Sequence, residues 1–259
     1  MKSLDKDFLR YCEDIGMFAW DRPIHDVFDF KGKLLAAGSC IHKTIWCAVE
    51  CYNEKLYKVY PNMTPKDVRN EKNWQKVTGK GIAFLLSRKR KLVERVRGCT
   101  RGENIKDLKD IERWADIGKE NPDVLFWVPV RGWRDPFLKQ EIERVLFPIK
   151  NLAILASLDP TNTDEEWKEL IASGWSTMFA GDDDRKTNPL GEPLFNCPKT
   201  GVFMKKRSDS EKIKAWKKKN KGHCGICKGG CFSRCLLNRR VDVKLYVHLG
   251  KERDHDSRS

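Results

Sequence analysis

Residues 124–158 read VLFWVPVRGWRDPFLKQEIERVLFPIKNLAILASL: a short apolar strand, an amphipathic helix and a second apolar strand. The same alternation continues on both sides. Upstream, an apolar stretch at 92–99 (LVERVRGC) precedes an amphipathic helix at 105–120. Downstream, a helix at 163–173 precedes an apolar stretch at 176–180 (STMFA). This β-α-β-α-β-α-β order predicts an α/β fold in which helices cover a parallel sheet, either open or closed into a partial (β/α) barrel.

The composition changes after residue 184, which indicates where the α/β part ends. Pro189, Gly191 and Pro193 are typical of a linker, and the residues beyond them are basic and rich in cysteine. We therefore predict an α/β domain over residues 1–190 and a small basic, cysteine-rich module over residues 191–250. The polar residues 251–259 are predicted to form a disordered tail.

Positive charge is concentrated in two parts of the chain. Lys and Arg number 51 against 37 Asp and Glu, a formal net charge of +14. Residues 197–240 alone hold 14 Lys/Arg and two acidic residues, and a second basic run lies within residues 88–101. Such patches favour polyanions, so nucleic acid or a phosphorylated substrate is a predicted partner. The alternative is a solvated face that only keeps the protein soluble.

The sequence shows no export signal and no membrane span. Residues 1–10 lack the apolar core of a signal peptide, and the longest apolar runs are shorter than a span requires. We expect a cytoplasmic protein, in the host cytoplasm if it is viral, without membrane contact. Because thiols stay reduced there, the ten cysteines favour metal or cluster ligands over disulfides.

The first cysteine group is Cys40, Cys47 and Cys51, in a loop that runs into a helix within the α/β domain. Three thiolates in a compact loop can hold three irons of a [4Fe–4S] cube and leave the fourth iron open to a substrate or cofactor. His42 lies in the same loop and could complete a zinc site instead. Buried thiols without a metal are the remaining alternative.

The second cysteine group lies in the basic module and consists of Cys197, Cys224, Cys227 and Cys231. One distant cysteine and a tight, glycine-containing run provide four thiolates, a complete ligand shell for zinc or for an iron–sulfur cluster. Cys235 could take the place of Cys197. Because proline after cysteine favours a cluster loop, we predict one or two [4Fe–4S] clusters in the chain, with zinc as the alternative at this second site.

Three charged residues, Glu103, Arg131 and Asp159, each follow a predicted strand. The carboxyl ends of parallel strands share one edge of a sheet, where ligands collect, so we predict these three as catalytic residues. In these roles Glu103 would contact an amino group, Arg131 a carboxylate or phosphate, and Asp159 a ribose hydroxyl. Each could also be a loop charge or a helix cap.

Taken together, three motifs resemble the phage gene-product-88 domain family and are similar in layout to the phage gene products 37/68, which are radical-SAM-like. They are a cysteine triplet that ends in Cys-Tyr, a strand that ends in a glycine–acid turn before a tryptophan-containing helix, and a terminal Cys-Pro with Cys-x2-Cys. The resemblance covers roughly residues 33–232. The residues that carry it are Cys40, Cys47, Cys51, Tyr52, Gly102, Glu103, Trp114, Cys197, Pro198, Cys224 and Cys227.

The resemblance implies a partial barrel of radical-SAM type and S-adenosylmethionine as a cofactor bound at Gly102 and Glu103. We therefore expect an iron–sulfur phage protein, a radical-SAM-like enzyme acting on a nucleotide or nucleic acid. The alternatives are a zinc- or cluster-stabilised nucleic acid-binding protein without catalysis, and a redox or sulfur-transfer partner. Two departures are visible: the usual C-x3-C-x2-C is C-x6-C-x3-C here, and the usual Gly-Gly-Glu turn is Arg101-Gly102-Glu103.

Overall fold

The computed structural model describes residues 4–12, 16–89, 92–181, 185–196, 240 and 242–246. Within these residues the chain forms an α/β fold around one large, mostly parallel sheet. The fold class predicted from the alternation of strands and helices is therefore confirmed at this level. The cysteines of the second group, Cys235 and the predicted tail lie outside the described residues.

The strands, in chain order, are β1 (Arg10–Cys12), β2 (Met17–Trp20), β3 (Val27–Phe28), β4 (Leu34–Ala36), β5 (Arg95–Cys99), β6 (Leu125–Val130), β7 (Leu152–Leu158), β8 (Ser176–Gly181), β9 (Phe195–Asn196) and β10 (Asp242–Tyr246). β3 and β4 form a small antiparallel hairpin. The other eight form one sheet in the order β1-β2-β5-β6-β7-β8-β10-β9, in which β1 is antiparallel to β2 and the remaining described pairings are parallel. The four predicted strands correspond to β5, β6, β7 and β8.

The helices, in chain order, are α1 (Ile45–Val49), α2 (Tyr52–Val59), α3 (Met63–Trp74), α4 (Gly79–Ser87), α5 (Leu108–Glu120), α6 (Pro136–Val145) and α7 (Asp164–Ala172), with a short 3-10 helix at Gly132–Arg134. Several begin at side-chain caps, because a short polar side chain satisfies the first free N–H groups of a helix. Thr163 and Glu166 form a capping box at the start of α7. None of the described helices is long and apolar enough to cross a membrane.

Two strands come from residues 191–250, which were predicted as a separate module. β10 pairs in parallel with β8, and β9 pairs in parallel with β10. These two strands therefore extend the same sheet that the preceding part of the chain builds. Within β10, Asp242 accepts a hydrogen bond from Thr177 of β8 at 2.7 Å, and the buried Lys244 donates to the backbone oxygen of Arg185 at 2.9 Å.

Helices α3 to α7 bury apolar side chains against one face of the sheet. Successive strand residues point to opposite faces, and the larger core cluster combines one set of them with tryptophans and aliphatic residues of α3 to α7. A second cluster lies on the other face and contains strand residues alone: Met17, Ala19, Trp127, Ala153, Leu155, Met178 and Val243. Right-handed crossovers between strands that follow chain order place their helices on one face, which explains this division.

Arg22 lies just beyond the end of β2 and is fully buried. Its guanidinium donates to Glu71 of α3 at 2.8 and 3.1 Å and to Asp110 of α5 at 2.8 Å. It also donates to the backbone oxygens of Glu103 and Asn104, at 3.1 and 3.4 Å. A single side chain therefore connects β2, two helices and the loop that follows β5.

The pKa of Glu71 provides a test of this network. Burial alone would raise that pKa, but the hydrogen bonds and charge of Arg22, helped by Lys106, lower it. The charge of Glu71 therefore stabilises the fold above the pKa that the unfolded chain has, and this contribution is lost as the pH falls through the lower folded pKa.

We predict that Glu71→Gln lowers the free energy of unfolding by about 1.5–3 kcal/mol at neutral pH, the usual effect of losing a hydrogen bond to a charged group. The difference from wild type is expected to shrink as the pH falls through the lowered pKa of Glu71, because the wild-type carboxylate then also becomes protonated. Urea unfolding across this pH range measures it. Glu112→Gln, on the exposed side of α5, is the control. A difference that stays constant with pH would contradict the expected role of the Glu71 charge.

Candidate functional site

Glu103, Arg131 and Asp159 meet at the carboxyl edge of the sheet, just beyond β5, β6 and β7. The backbone N–H of Arg131 donates to Glu103 Oε2 at 3.0 Å, and its guanidinium donates to Asp159 Oδ2 at 2.7 Å. The side chain of Asp159 is fully buried and that of Arg131 is mostly buried. The structure thus brings the three residues together, and their catalytic roles stay a prediction.

Glu103 uses its carboxylate to join two loops. Oε1 accepts hydrogen bonds from the backbone N–H groups of Asn104 and Ile105, at 2.8 and 3.2 Å, and Oε2 accepts the one from Arg131. Burial raises the pKa of Glu103 to about 7, although these N–H donors and the positive charge of Arg131 favour the carboxylate. The side chain therefore fixes the turn after β5 to the start of the loop after β6.

Gly102 forms that turn with a φ of +79°, in the left-handed region that favours glycine. A Cβ at this position would lie 2.5 Å from Ser39 Oγ and 2.6 Å from the backbone oxygen of Arg22. Ser39 fills this space: its hydroxyl donates to a backbone oxygen after β2 at 2.7 Å and accepts from the N–H of Glu103 at 2.8 Å. The residue before Cys40 is thus fixed against the predicted cofactor-binding pair.

The three cysteines of the first group lie in consecutive local elements. Cys40 precedes a turn, Cys47 is in α1, and Cys51 is the N-cap residue of α2. Thr44 caps α1: its hydroxyl accepts from the N–H of Cys47 at 3.0 Å and donates to Asp159 Oδ2 at 2.7 Å. This contact fixes the middle of the cysteine loop to the carboxylate at the end of β7.

The electrostatics show that these cysteines lie close to one another and to the charged rim. Burial raises the pKa of Cys40, and the charges of Glu103, Cys47 and Cys51 raise it further. Burial also raises the pKa of Cys47, and the positive charge of the nearby Arg131 guanidinium opposes part of this rise. All three are half-buried free thiols. The Cys40 and Cys47 thiols therefore lie near Glu103 and Arg131, and the Cys51 thiol lies near these two thiols.

A second connection starts just after Cys51. Tyr57 of α2 donates its hydroxyl to Asp67 of α3, and Asp67 accepts from Arg101 at 2.7 and 3.2 Å. Arg101 directly precedes Gly102 in the chain. The helix that begins after the last cysteine is consequently linked to the glycine turn through one buried carboxylate.

The side chains around the first cysteine group can be compared with the ligands that a zinc ion or an iron–sulfur cluster requires. Among the described residues, no three His, Cys, Asp or Glu side chains converge as they would around a single ion. His42, the suggested zinc ligand, has its Nε2 3.3 Å from the backbone oxygen of Lys106. An iron–sulfur cube makes a different demand, because each cysteine binds a separate iron and the sulfurs do not converge on one point. Three soft thiol donors on one loop fit such a cluster.

Four residues that hold this arrangement together were not predicted: Arg22, Ser39, Thr44 and Asp67. For Thr44 a signal was available, because it stands three residues before Cys47, at the spacing of an N-cap and its partner. For the others the sequence carries no local signal. Their contacts with residues 101–110 span between 34 and 88 positions of the chain.

Comparison with known proteins identifies no matching family. No protein-family model, no curated protein and no solved structure matches the chain.

We predict that Gly102→Ala destabilises the fold by about 1 kcal/mol for the left-handed conformation and by about 1–3 kcal/mol more for overpacking against Ser39 and Arg22. Gly191→Ala is the matched control, since Gly191 has a φ of +81° and nothing within 4 Å of an added Cβ. Urea unfolding compares the two. Equal losses would show that the turn at Gly102 is not closely packed.

We predict that Asp159→Asn loosens the cysteine loop. The neutral amide cannot neutralise the charge of the Arg131 guanidinium, and its single oxygen cannot replace both carboxylate oxygens, which accept from Arg131, Thr44 and Thr161. Losing a charge-assisted hydrogen bond is worth about 1.5–3 kcal/mol, so hydrogen exchange at the Cys47 amide should accelerate by about tenfold or more. Asp164→Asn, whose carboxylate pairs with Arg185 at 2.9 Å in an exposed setting, is the control. Unchanged exchange at Cys47 would contradict the proposed tether.

Proposed function

We propose that this chain is an iron–sulfur protein, a radical-SAM-like enzyme that acts on a nucleotide or nucleic acid. The observation that supports this most is the position of the first cysteine group, whose Cys40 and Cys47 thiols lie near Glu103 and Arg131 at the carboxyl edge of the sheet. Parallel α/β enzymes bind their ligands at this edge. A cluster with an open iron needs three protein thiolates and a position facing the substrate.

The strand order supports the proposal as well. β2, β5, β6, β7 and β8 follow chain order across the sheet without reversal, and helices α3 to α7 lie on one face. This is the order of strands in a barrel that has not closed, so we propose a partial (β/α) barrel of radical-SAM type. The face that carries Trp127, Ala153, Leu155 and Met178 would be its concave interior.

The proposed ligands of the first cluster are Cys40, Cys47 and Cys51. A cluster with an open iron supplies a Lewis-acidic binding position and a one-electron donor. The residues of the chain keep the loop in place for it: Ser39 fixes the start of the loop and Thr44 fixes its middle. Arg131, whose charge lowers the pKa of Cys47, would offset part of the negative charge that three thiolates carry.

S-adenosylmethionine is proposed as the cofactor at the turn formed by Gly102 and Glu103. Ser39 packs against this turn, so a molecule bound there would lie next to Cys40. Asp159 is proposed as a positioning residue, because both of its carboxylate oxygens already accept hydrogen bonds inside the protein. It would act by orienting Arg131 and the cysteine loop.

Positive charge supports a polyanionic substrate, although the basic run at residues 88–101 does not form one binding surface. Arg101 is mostly buried and pairs with Asp67, so it serves the fold. Arg97 lies 4.3 Å from the ring centroid of Trp127, on the proposed concave face. Most of the excess charge belongs to residues 197–240, and the described residue among them, Arg240, pairs with acidic neighbours.

A second cluster, or zinc, is proposed for Cys197, Cys224, Cys227 and Cys231, with Cys235 as an alternative to Cys197. Its support is the topology of the sheet. β9 ends at Asn196, and because β9 is parallel to its neighbours it ends at the same edge as β5, β6 and β7. The chain therefore enters the basic segment from the edge at which the first cysteine group lies.

Metal analysis of the full chain, purified without oxygen, tests the proposal. We predict iron and acid-labile sulfide in the wild type and a loss of about four irons per chain in Cys47→Ala. The variant should keep the wild-type circular dichroism spectrum, because the loop is half-buried and lies outside the main core. Cys12→Ala, which removes a free thiol from the edge strand β1, is the control and should retain its iron.

Three outcomes would contradict parts of this proposal. Zinc without iron would contradict the iron–sulfur assignment and favour the nucleic acid-binding alternative. Loss of all metal in Cys47→Ala would mean that the two cysteine groups share one site. A fully loaded, reduced protein that does not cleave S-adenosylmethionine to 5′-deoxyadenosine would contradict the radical part alone.

A further inference from the structure

The cysteine loop turns its aliphatic side chains outwards. Ile41, Ile45 and Val49 have exposed fractions of 62%, 83% and 67%, and α1 contains no buried residue. Ile45 and Val49 are four residues apart and so lie on the same face of α1. In a helix that only packs against its own domain, these would be the buried positions. Their exposure is typical of a surface that another molecule covers.

The exposed large apolar side chains are concentrated in the segment of the chain that contains this loop. Nine of the sixteen exposed large apolar side chains in the described part of the chain fall within residues 28–60. We call the set Ile41, Lys43, Ile45 and Val49 the loop face. It lies on the segment that carries all three cysteines of the first group.

The exposed charges of the same segment are positive. Between residues 28 and 60, the charged side chains described as exposed are Lys31, Lys33 and Lys43. The described carboxylates of this segment are only partly exposed: Asp29, Glu50 and Glu54. The loop face therefore combines exposed aliphatic side chains with a positive rim at Lys43, which complements an acidic partner.

We propose that the loop face docks a small acidic protein that delivers single electrons to the site. A second copy of this chain is a poor occupant, because each copy carries a formal charge of +14 and two copies repel each other. This inference rests on the proposed function, since it assumes a cluster at the first cysteine group. It adds the direction from which the electron arrives and the chemistry of the carrier.

The position of the loop face fits electron delivery. Ile41 follows Cys40 directly, and Cys47 lies between Ile45 and Val49 in α1. Because an α-helix with its side chains is about 10–12 Å across, a protein resting on α1 would lie within about that distance of Cys47. In the transfer the carrier is oxidised by one electron and the cluster is reduced by one electron, and no covalent bond forms or breaks.

The test compares two reductants on the anaerobically loaded full chain, by following the bleaching of cluster absorbance in a stopped-flow instrument. One is reduced plant-type ferredoxin, an acidic one-electron carrier, and the other is dithionite, which needs no docking surface. We expect Ile45→Asp to slow reduction by ferredoxin about tenfold or more, as the loss of a central interface residue does, and to leave the dithionite rate unchanged. Leu92→Asp is the matched control: Leu92 is 88% exposed and precedes β5, at the opposite edge of the sheet.

The positive rim gives an independent readout. Lys43→Glu should slow reduction by ferredoxin at low salt, and the difference from wild type should diminish as salt screens the charges. Binding to immobilised ferredoxin should weaken in both loop-face variants and stay unchanged in Leu92→Asp.

The outcomes separate this inference from the proposed function. A wild-type protein without iron would overturn both. A loaded Ile45→Asp protein that ferredoxin reduces at the wild-type rate would overturn the docking surface alone. A wild-type dimer in sedimentation analysis that Ile45→Asp dissociates would show that a second copy covers the loop face, and would also overturn the inference.

Discussion

The buried guanidinium of Arg22 is the interaction on which the rest of the site depends. A buried charge is tolerated only when it is paired and hydrogen-bonded, and Arg22 meets this condition with Glu71, Asp110 and two backbone oxygens of the loop after β5. Asp110 is fixed in turn by the indole N–H of Trp74 at 2.6 Å. Moving that loop would leave acceptors and charges buried without partners, so the network determines where the glycine turn lies. The turn then provides the place against which the cysteine loop is fixed.

The charged residues at the carboxyl edge serve mainly to position other groups. Glu103 accepts three backbone N–H bonds, and Asp159 is shared by Arg131, Thr44 and Thr161. Such satisfied carboxylates are suited to holding a loop in one geometry. The free thiols of the first cysteine group lie at the same edge, which is why the proposed reaction centres on a cluster bound there. In the docking that we propose, the partner would cover the exposed aliphatic side chains of α1, the helix that contains Cys47.

The sequence predicts the central strands and helices well because their signals are local. The apolar stretches of β6 and β7 and the capping box at Thr163 each lie within a few residues. The helix predicted from residue 105 begins at Leu108, because Asp107 caps it and Ile105 donates its N–H to Glu103. β10 was not predicted, since it alternates with Asp242 and Lys244, buried charged residues whose partners include the distant Thr177 and Arg185. The contacts of Ser39 and Arg22 are equally long-range, so the sequence could indicate the cysteines and the edge but not how they are joined.

The central claim is that the first cysteine group holds an iron–sulfur cluster with one iron open to a cofactor. Mössbauer spectroscopy of the ⁵⁷Fe-loaded full chain, recorded with and without S-adenosylmethionine, tests this most directly. The account predicts that about one iron in four of the first cluster changes its isomer shift when S-adenosylmethionine is added, because only the iron without a cysteine ligand can bind it. A loaded protein whose spectrum is unchanged by S-adenosylmethionine, or a chain that takes up no ⁵⁷Fe at all, would contradict the claim.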